Sequence, residues 1–308
     1  MIKTATYITT IVAIFAASTF GASLVTESFS GTTDPAGWNI QTYTGGTHTS
    51  AGTLEGESFR YGTGTGNGYM QMTEAVDYQR TTAIYTADTF STAQDFSFTC
   101  DYNIGDTGTG ADGITFFWLD KATIDSNSWN INSMSGGYGE WMGAPHGNDS
   151  GKSVGYYNGI KGYSMEFDHY DNGAGEVDEY NHFIRISDWA HSGGVGAVDR
   201  GGDDDFYYGN GWQSVEFTFD ADTGTFTYQL TDTDTSAQTA VKTFTVAVLE
   251  TALGTGWYET FDDAYFGIGG ATGGDNDVHL IRNLDVVPEP ATMLMFAMGG
   301  LALLRKKR

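Results

Sequence analysis

The sequence predicts an all-β sandwich folded as a single domain. Apolar residues recur at every second position in several runs, and Gly, Asn, Asp and Thr clusters separate those runs. Helical periodicity is scarce between residues 23 and 286. That stretch contains neither a Pro-rich linker nor a repeat, so nothing divides it. With 40% hydrophobic and 14% aromatic residues, the chain has ample material for a core despite its 43 glycines.

The clearest strand is Phe96–Tyr102, where Phe96, Phe98, Cys100 and Tyr102 share one face. Cys100 therefore reads as a small core residue, and a single cysteine excludes an internal disulfide. Further strands are expected at 113–119, 163–168, 182–187, 213–219, 225–231, 242–248, 265–269 and 278–286. Asp220–Gly224 reads as the turn of a hairpin. Phe116 and Phe117 read as core. The Gly-, Ser- and Asn-rich segment 121–162 is expected as a long loop, and loops of that length are usually functional.

Both ends read as addresses. Lys3, the apolar run from Tyr7 to Ala17 and the small residues Ala17, Ser18, Gly21, Ala22 and Ser23 form the three regions of a secretory signal peptide, placed at 1–22. The C-terminus reads Val287-Pro288-Glu289-Pro290, then an apolar run from Ala291 to Leu304, then Arg305 to Arg308. The prolines stop the last strand, and the basic tail favours a cytoplasmic end beyond a short span.

Charge narrows the partners. Lys and Arg number 14 against 39 Asp and Glu, a net charge of −25. Residues 22–286 hold nine of the bases and 38 of the acids. Such a body repels phosphate backbones, which excludes nucleic acid, and favours divalent cations and neutral ligands. Serine hydrolase, Rossmann and P-loop signatures are absent.

The densest chemistry is the segment Glu166-Phe-Asp168-His-Tyr170-Asp-Asn172-Gly-Ala-Gly-Glu-Val-Asp178-Glu-Tyr-Asn-His182. Glu166 and Asp168 lie on one face of a strand. Asp168, the Tyr170 carbonyl, Asn172 and Asp178 are oxygen donors suited to calcium. Glu166, Asp168, Asp178 and His182 suit a transition metal such as manganese. A solvated acidic loop is the other reading of the same residues.

This segment resembles the metal loop of the legume-type (L-type) lectins: Glu-x-Asp, an aromatic, an Asn, an Asp, then a His that opens the next strand. Here three residues separate Asp178 from His182, where the plant proteins have four. Gly110-Ala-Asp112-Gly-Ile-Thr-Phe-Phe117 resembles the strand whose Asp follows a cis peptide and accepts sugar hydroxyls. Gly151-Lys-Ser-Val-Gly-Tyr156 resembles the glycine loop whose backbone N–H faces the sugar. Phe266–Gly273 and His279–Asp285 resemble the last sugar loop and closing strand, with Asn283-Leu284 standing where the family has Ser-Trp. The C-terminal segment 287–308 resembles the PEP-CTERM sorting signal of Gram-negative bacteria.

The resemblances imply a concanavalin A-like jelly roll over 23–286 and a metal site of Glu166, Asp168, Tyr170, Asn172, Asp178 and His182. They imply a sugar site of Asp112, Gly151, Tyr170, Asn172, Thr272 and Gly273, with Tyr138 or Trp141 also available to stack on a sugar. The implied cofactors are Ca2+ and a second ion such as Mn2+. The implied partners are a glycan or exopolysaccharide, an exosortase, and transiently the membrane, with delivery to the cell surface or extracellular matrix. The expected function is glycan binding without hydrolysis. Glu166-Phe-Asp168-His-Tyr-Asp171 also approaches the Glu-x-Asp-x-x-Glu strand of laminarinase-like glycosidases. A matrix protein without a sugar site is the third alternative.

Overall fold

The computed structural model describes residues 22–29, 35–44, 53–54, 68–105, 111–137, 142–146, 156–168, 183–188, 211–253, 256 and 258–288. The expected signal peptide, short of Ala22, and the expected C-terminal span both lie outside these residues.

The described strands are β1 (Val25–Glu27), β2 (Trp38–Thr44), β3 (Thr53–Leu54), β4 (Met70–Thr73), β5 (Gln79–Tyr85), β6 (Phe96–Ile104), β7 (Gly113–Asp120), β8 (Gly162–Asp168), β9 (Phe183–Asp188), β10 (Gln213–Asp220), β11 (Thr225–Asp232), β12 (Lys242–Thr245), β13 (Ala264–Ala271) and β14 (His279–Pro288). They form two antiparallel sheets. The back sheet runs β1-β14-β6-β10-β11-β12, with β4 also on β14. The front sheet runs β3-β2-β5-β13-β7-β8-β9. The all-β jelly-roll sandwich expected from the sequence is the observed fold.

The core lies between the sheets. Strand β6 points Phe96, Phe98, Cys100 and Tyr102 inward, as its alternation requires. Phe98 stacks on Phe217 of β10 at 4.8 Å and meets Phe116 of β7 at 4.8 Å. Aromatic pairs of this kind add about 1 kcal/mol each beyond the area they bury. Burial raises the Cys100 thiol pKa well above its ordinary value, which leaves it a core residue rather than a nucleophile.

Three parts of the fold differ from the sequence expectation. The early strands β1 to β5 were not anticipated. Strand β5, Gln-Arg-Thr-Thr-Ala-Ile-Tyr, is buried on both faces at most positions and shows no alternation to read. The run 242–248 is not one strand: β12 ends at Thr245 and helix α2 occupies Val246–Leu253. The Thr245 hydroxyl accepts the Val248 N–H at 3.2 Å, an N-cap contact, and the helix-forming Ala and Leu residues follow. The segment 121–162 opens with helix α1 (Lys121–Ser126), capped by the Asp120 carboxylate, and contains a short 3-10 turn at Ile131–Ser133.

Candidate functional site at the loop end of the front sheet

The register of the front sheet brings distant segments together. Arg80, Ala271, Gly113 and Asp168 are successive partners in one rung, and Thr82, Gly269, Thr115 and Glu166 form the next rung on that face. Inward positions of the same strands, such as Ile114, Phe116, Phe167 and Ile268, fill the main core. Glu166 and Asp168 therefore face outward from the sandwich, on the side opposite the core.

That outer face is covered rather than open. Ile84, Phe117, Leu119, Ile124, Met134, Ala144, Ile160 and Tyr265 form a second core between the sheet and the described residues of the 121–160 segment. The Thr82 hydroxyl donates to the Gly143 carbonyl at 2.5 Å and accepts the Gly136 N–H at 2.6 Å, which ties the covering loop to the sheet. Gly269 makes this approach possible: a Cβ there would lie 2.4 Å from the Met142 carbonyl oxygen. On the same face Glu166 is 6% and Asp168 2% exposed, and the Ser164 hydroxyl donates to Glu166 Oε1 at 2.6 Å.

Asp112 stands at the start of β7. Its peptide bond with Ala111 is cis, the configuration that the resemblance implies. Its N–H donates to the Ala271 carbonyl at 2.9 Å, and its side chain is held in a recess with the residue 5% exposed. Gly273 lies against it: a Cβ on Gly273 would sit 3.1 and 3.2 Å from the two carboxylate oxygens. The turn after β13 therefore packs against Asp112 more closely than a residue with a side chain at 273 would allow without a small shift.

Thr272 is fully buried. Its hydroxyl accepts the Gln79 N–H at 2.9 Å and donates to the Val76 carbonyl at 2.7 Å. Tyr78 N–H bonds the Gly273 carbonyl at 2.9 Å, and Asn276 donates to Asp77 at 2.5 Å. The segment 74–79 is thus joined to the 272–277 turn beside Asp112. Sequence reasoning missed this rim, because Glu-Ala-Val-Asp-Tyr-Gln carries no motif.

Behind the rim, Thr73, Asp277 and His279 form a buried cluster. The Thr73 hydroxyl donates to the Asp277 carbonyl at 2.8 Å and lies 2.6 Å from His279 Nδ1. With that hydroxyl hydrogen committed, Nδ1–H is the donor and Nε2 the acceptor. No donor among the described residues reaches Nε2. Burial pulls the His279 pKa from 6.5 down to about 3, so the ring stays neutral.

Of the expected site residues, Asp112, Thr272 and Gly273 meet at one end of the front sheet, with Glu166 and Asp168 on the neighbouring strand. Gly151, Tyr170, Asn172, Asp178 and His182 lie outside the described residues, as do Tyr138 and Trp141. Among the described residues, no group of three His, Cys, Asp or Glu side chains comes together to hold a metal ion.

Comparison with known proteins agrees with the fold and with the C-terminal reading. Residues 286–308 match the family model of the PEP-CTERM protein-sorting motif. This motif marks exported proteins sorted to the cell surface or extracellular matrix of Gram-negative bacteria. No curated protein matches the chain in sequence. Solved structures do match in shape. A lectin from Bauhinia forficata in complex with GalNAc superposes with a TM-score of 0.54 and 16% identity, covering 85% of this chain and 97% of that one. The seed lectin of Lotus tetragonolobus gives 0.55 and 15%, covering 86% and 100%. Lectin I-B4 from Griffonia simplicifolia, in a metal-free form, gives 0.53 and 14%, covering 85% and 98%. The chain thus has the jelly-roll fold of the legume lectins and carries at its C-terminus a PEP-CTERM sorting motif.

Proposed function

We propose that this is an exported glycan-binding protein that holds sugar reversibly, without hydrolysis, at the Asp112 end of the front sheet. An N-terminal signal at 1–22 starts export, the sandwich 23–286 binds glycan, and an exosortase processes the tail 287–308. The observation that supports the reading most is the meeting of Asp112 and Gly273. A buried carboxylate with a glycine packed against both of its oxygens suits hydrogen bonds from sugar hydroxyls. Asn172 donates a hydroxyl contact, Gly151 a backbone N–H, and Tyr170 an apolar face.

Glu166 and Asp168 fit a hard divalent cation. They are two carboxylates buried on one strand face, and buried carboxylates need compensating charge. Asp168, the Tyr170 carbonyl, Asn172 and Asp178 would hold Ca2+, and Glu166, Asp168, Asp178 and His182 a second ion such as Mn2+. Calcium bound there would order Asn172 toward the sugar and would supply no chemistry to a reaction. Single lectin contacts are weak, so display of many copies on a surface or matrix raises avidity.

The burial of Glu166, at 6% exposure, also favours binding over hydrolysis, since a retaining glycosidase needs both carboxyl groups at the scissile bond. Incubation with laminarin or agarose tests this choice. Reducing ends are expected to stay constant. Cleavage that Glu166→Gln stops would replace the lectin reading with the hydrolase.

A further inference from the structure

The outer face of the back sheet carries a second arrangement of sugar-like chemistry, away from Asp112. Strand β14 contains a bulge: Arg282 pairs with Asp101 and Asp285 with Thr99, so three steps on β14 oppose two on β6. Asn283, at φ 53°, is the residue that absorbs the extra step. The consequence is that Arg282 and Asn283, consecutive in sequence, both emerge on the outer face. They converge on one carboxylate. Arg282 Nε donates to Asp101 Oδ2 at 3.1 Å, and Asn283 Nδ2 donates to the same oxygen at 2.8 Å. Without the bulge one of the two would point into the core.

The guanidinium lies over the ring of Trp212, its carbon 4.0 Å from the ring centroid. Trp212 is itself fixed. Its carbonyl accepts the Thr233 N–H at 3.1 Å and the Thr233 hydroxyl at 3.0 Å, and its ring meets Tyr69 at 6.3 Å. Arg282 and Asp101 remain partly exposed, with side chains at 16% and 15%. Both bonds to Asp101 use Oδ2. Among the described residues, Oδ1 of Asp101 and both Nη groups of Arg282 have no protein partner.

We infer that Asp101, Arg282, Trp212 and Tyr69 form a second glycan-contact site, specific for neutral sugars. Adjacent donors and an acceptor, rigidly held, match the two hydroxyls of a vicinal diol. One hydroxyl accepts from Nη and the other donates to Oδ1. The aromatic pair offers an apolar edge to the sugar ring. Charge selects the class: Asp101 sits beside the guanidinium and the chain carries −25 overall, so an anionic sugar is repelled where a neutral one is not. A second copy of this chain, equally acidic, is disfavoured for the same reason. Two sites on opposite sheets would let one molecule bridge two strands of polysaccharide.

An array of printed neutral glycans, probed in calcium with Asp112→Ala, separates this site from the first. The variant is expected to keep a subset of neutral glycans. Adding Arg282→Gln to it should weaken that subset about tenfold or more, the loss of charge-assisted hydrogen bonds. Trp212→Leu is the second probe, and melting curves of both double variants check that the fold survives. Silence of Asp112→Ala across the array overturns the inference, as does binding unchanged by either added substitution. Loss of both double variants' binding with melting intact supports it.

Discussion

Asp112 and Gly273 touch across the ends of β7 and β13: a Cβ added to Gly273 would stand 3.1 Å from one carboxylate oxygen and 3.2 Å from the other. Gly273→Ala should therefore displace the carboxylate by a few tenths of an ångström without unfolding the sandwich. Glycan affinity is expected to fall about tenfold, or ~1.4 kcal/mol, with melting changed little. Calorimetric titration of wild type and variant checks this. Equal affinity would mean that the sugar does not sit on Asp112.

Calcium should raise the melting temperature by mass action, since the metal binds only the folded loop. At a hundredfold excess over Kd the gain is about 2.7 kcal/mol. Asp168→Ala should abolish it. Equal melting in calcium and in chelator would remove the metal from the account while leaving the fold intact.

Acid should weaken the fold through His279. The imidazole has a pKa of about 3 when folded against an ordinary 6.5. Between those values the unfolded chain takes up a proton that the folded chain refuses. The contribution is thus complete above pH 6.5 and lost as pH falls toward 3, by up to about 1.4 kcal/mol per pH unit. His279→Asn keeps a donor for the Thr73 hydroxyl oxygen and cannot titrate. Its stability should fall less steeply over this window, read from denaturant unfolding at several pH values. Parallel slopes would count against the buried imidazole as the cause.

The centre of the core should be the most sensitive part of the molecule. Phe98 is fully buried and packs on Phe116, Phe217 and Phe266. Phe98→Ala is expected to cost about 3–5 kcal/mol. Thr243→Ala, on the exposed face of β12, should change stability by less than about 0.5 kcal/mol.

The strands that face core on one side and solvent on the other were legible, because alternation records both environments. Strands β6, β10 and β11 show this at every second residue. Strand β5 was not legible, since both of its faces are covered, with Thr81 bonded to Thr42 and Thr82 to Gly136 and Gly143. The turn from β12 into α2 was missed because Val246 and Val248 read as strand formers, while the Thr245 cap acts locally. At the site, Asp112 and Gly273 were readable from their motifs. The 74–79 rim was not, since most of its ties to the 272–277 turn are backbone hydrogen bonds, which leave no side-chain pattern to read. The pair Arg282 and Asn283 was hidden by the bulge, which no alternation pattern announces.

The most direct test is a glycan array probed with the wild-type protein in calcium, in chelator, and with Asp112→Ala in calcium. The account expects a set of glycans that wild type binds in calcium, releases in chelator, and that Asp112→Ala does not bind. Wild-type binding of nothing, or an Asp112→Ala variant that binds the calcium-dependent set as well as wild type, would contradict it.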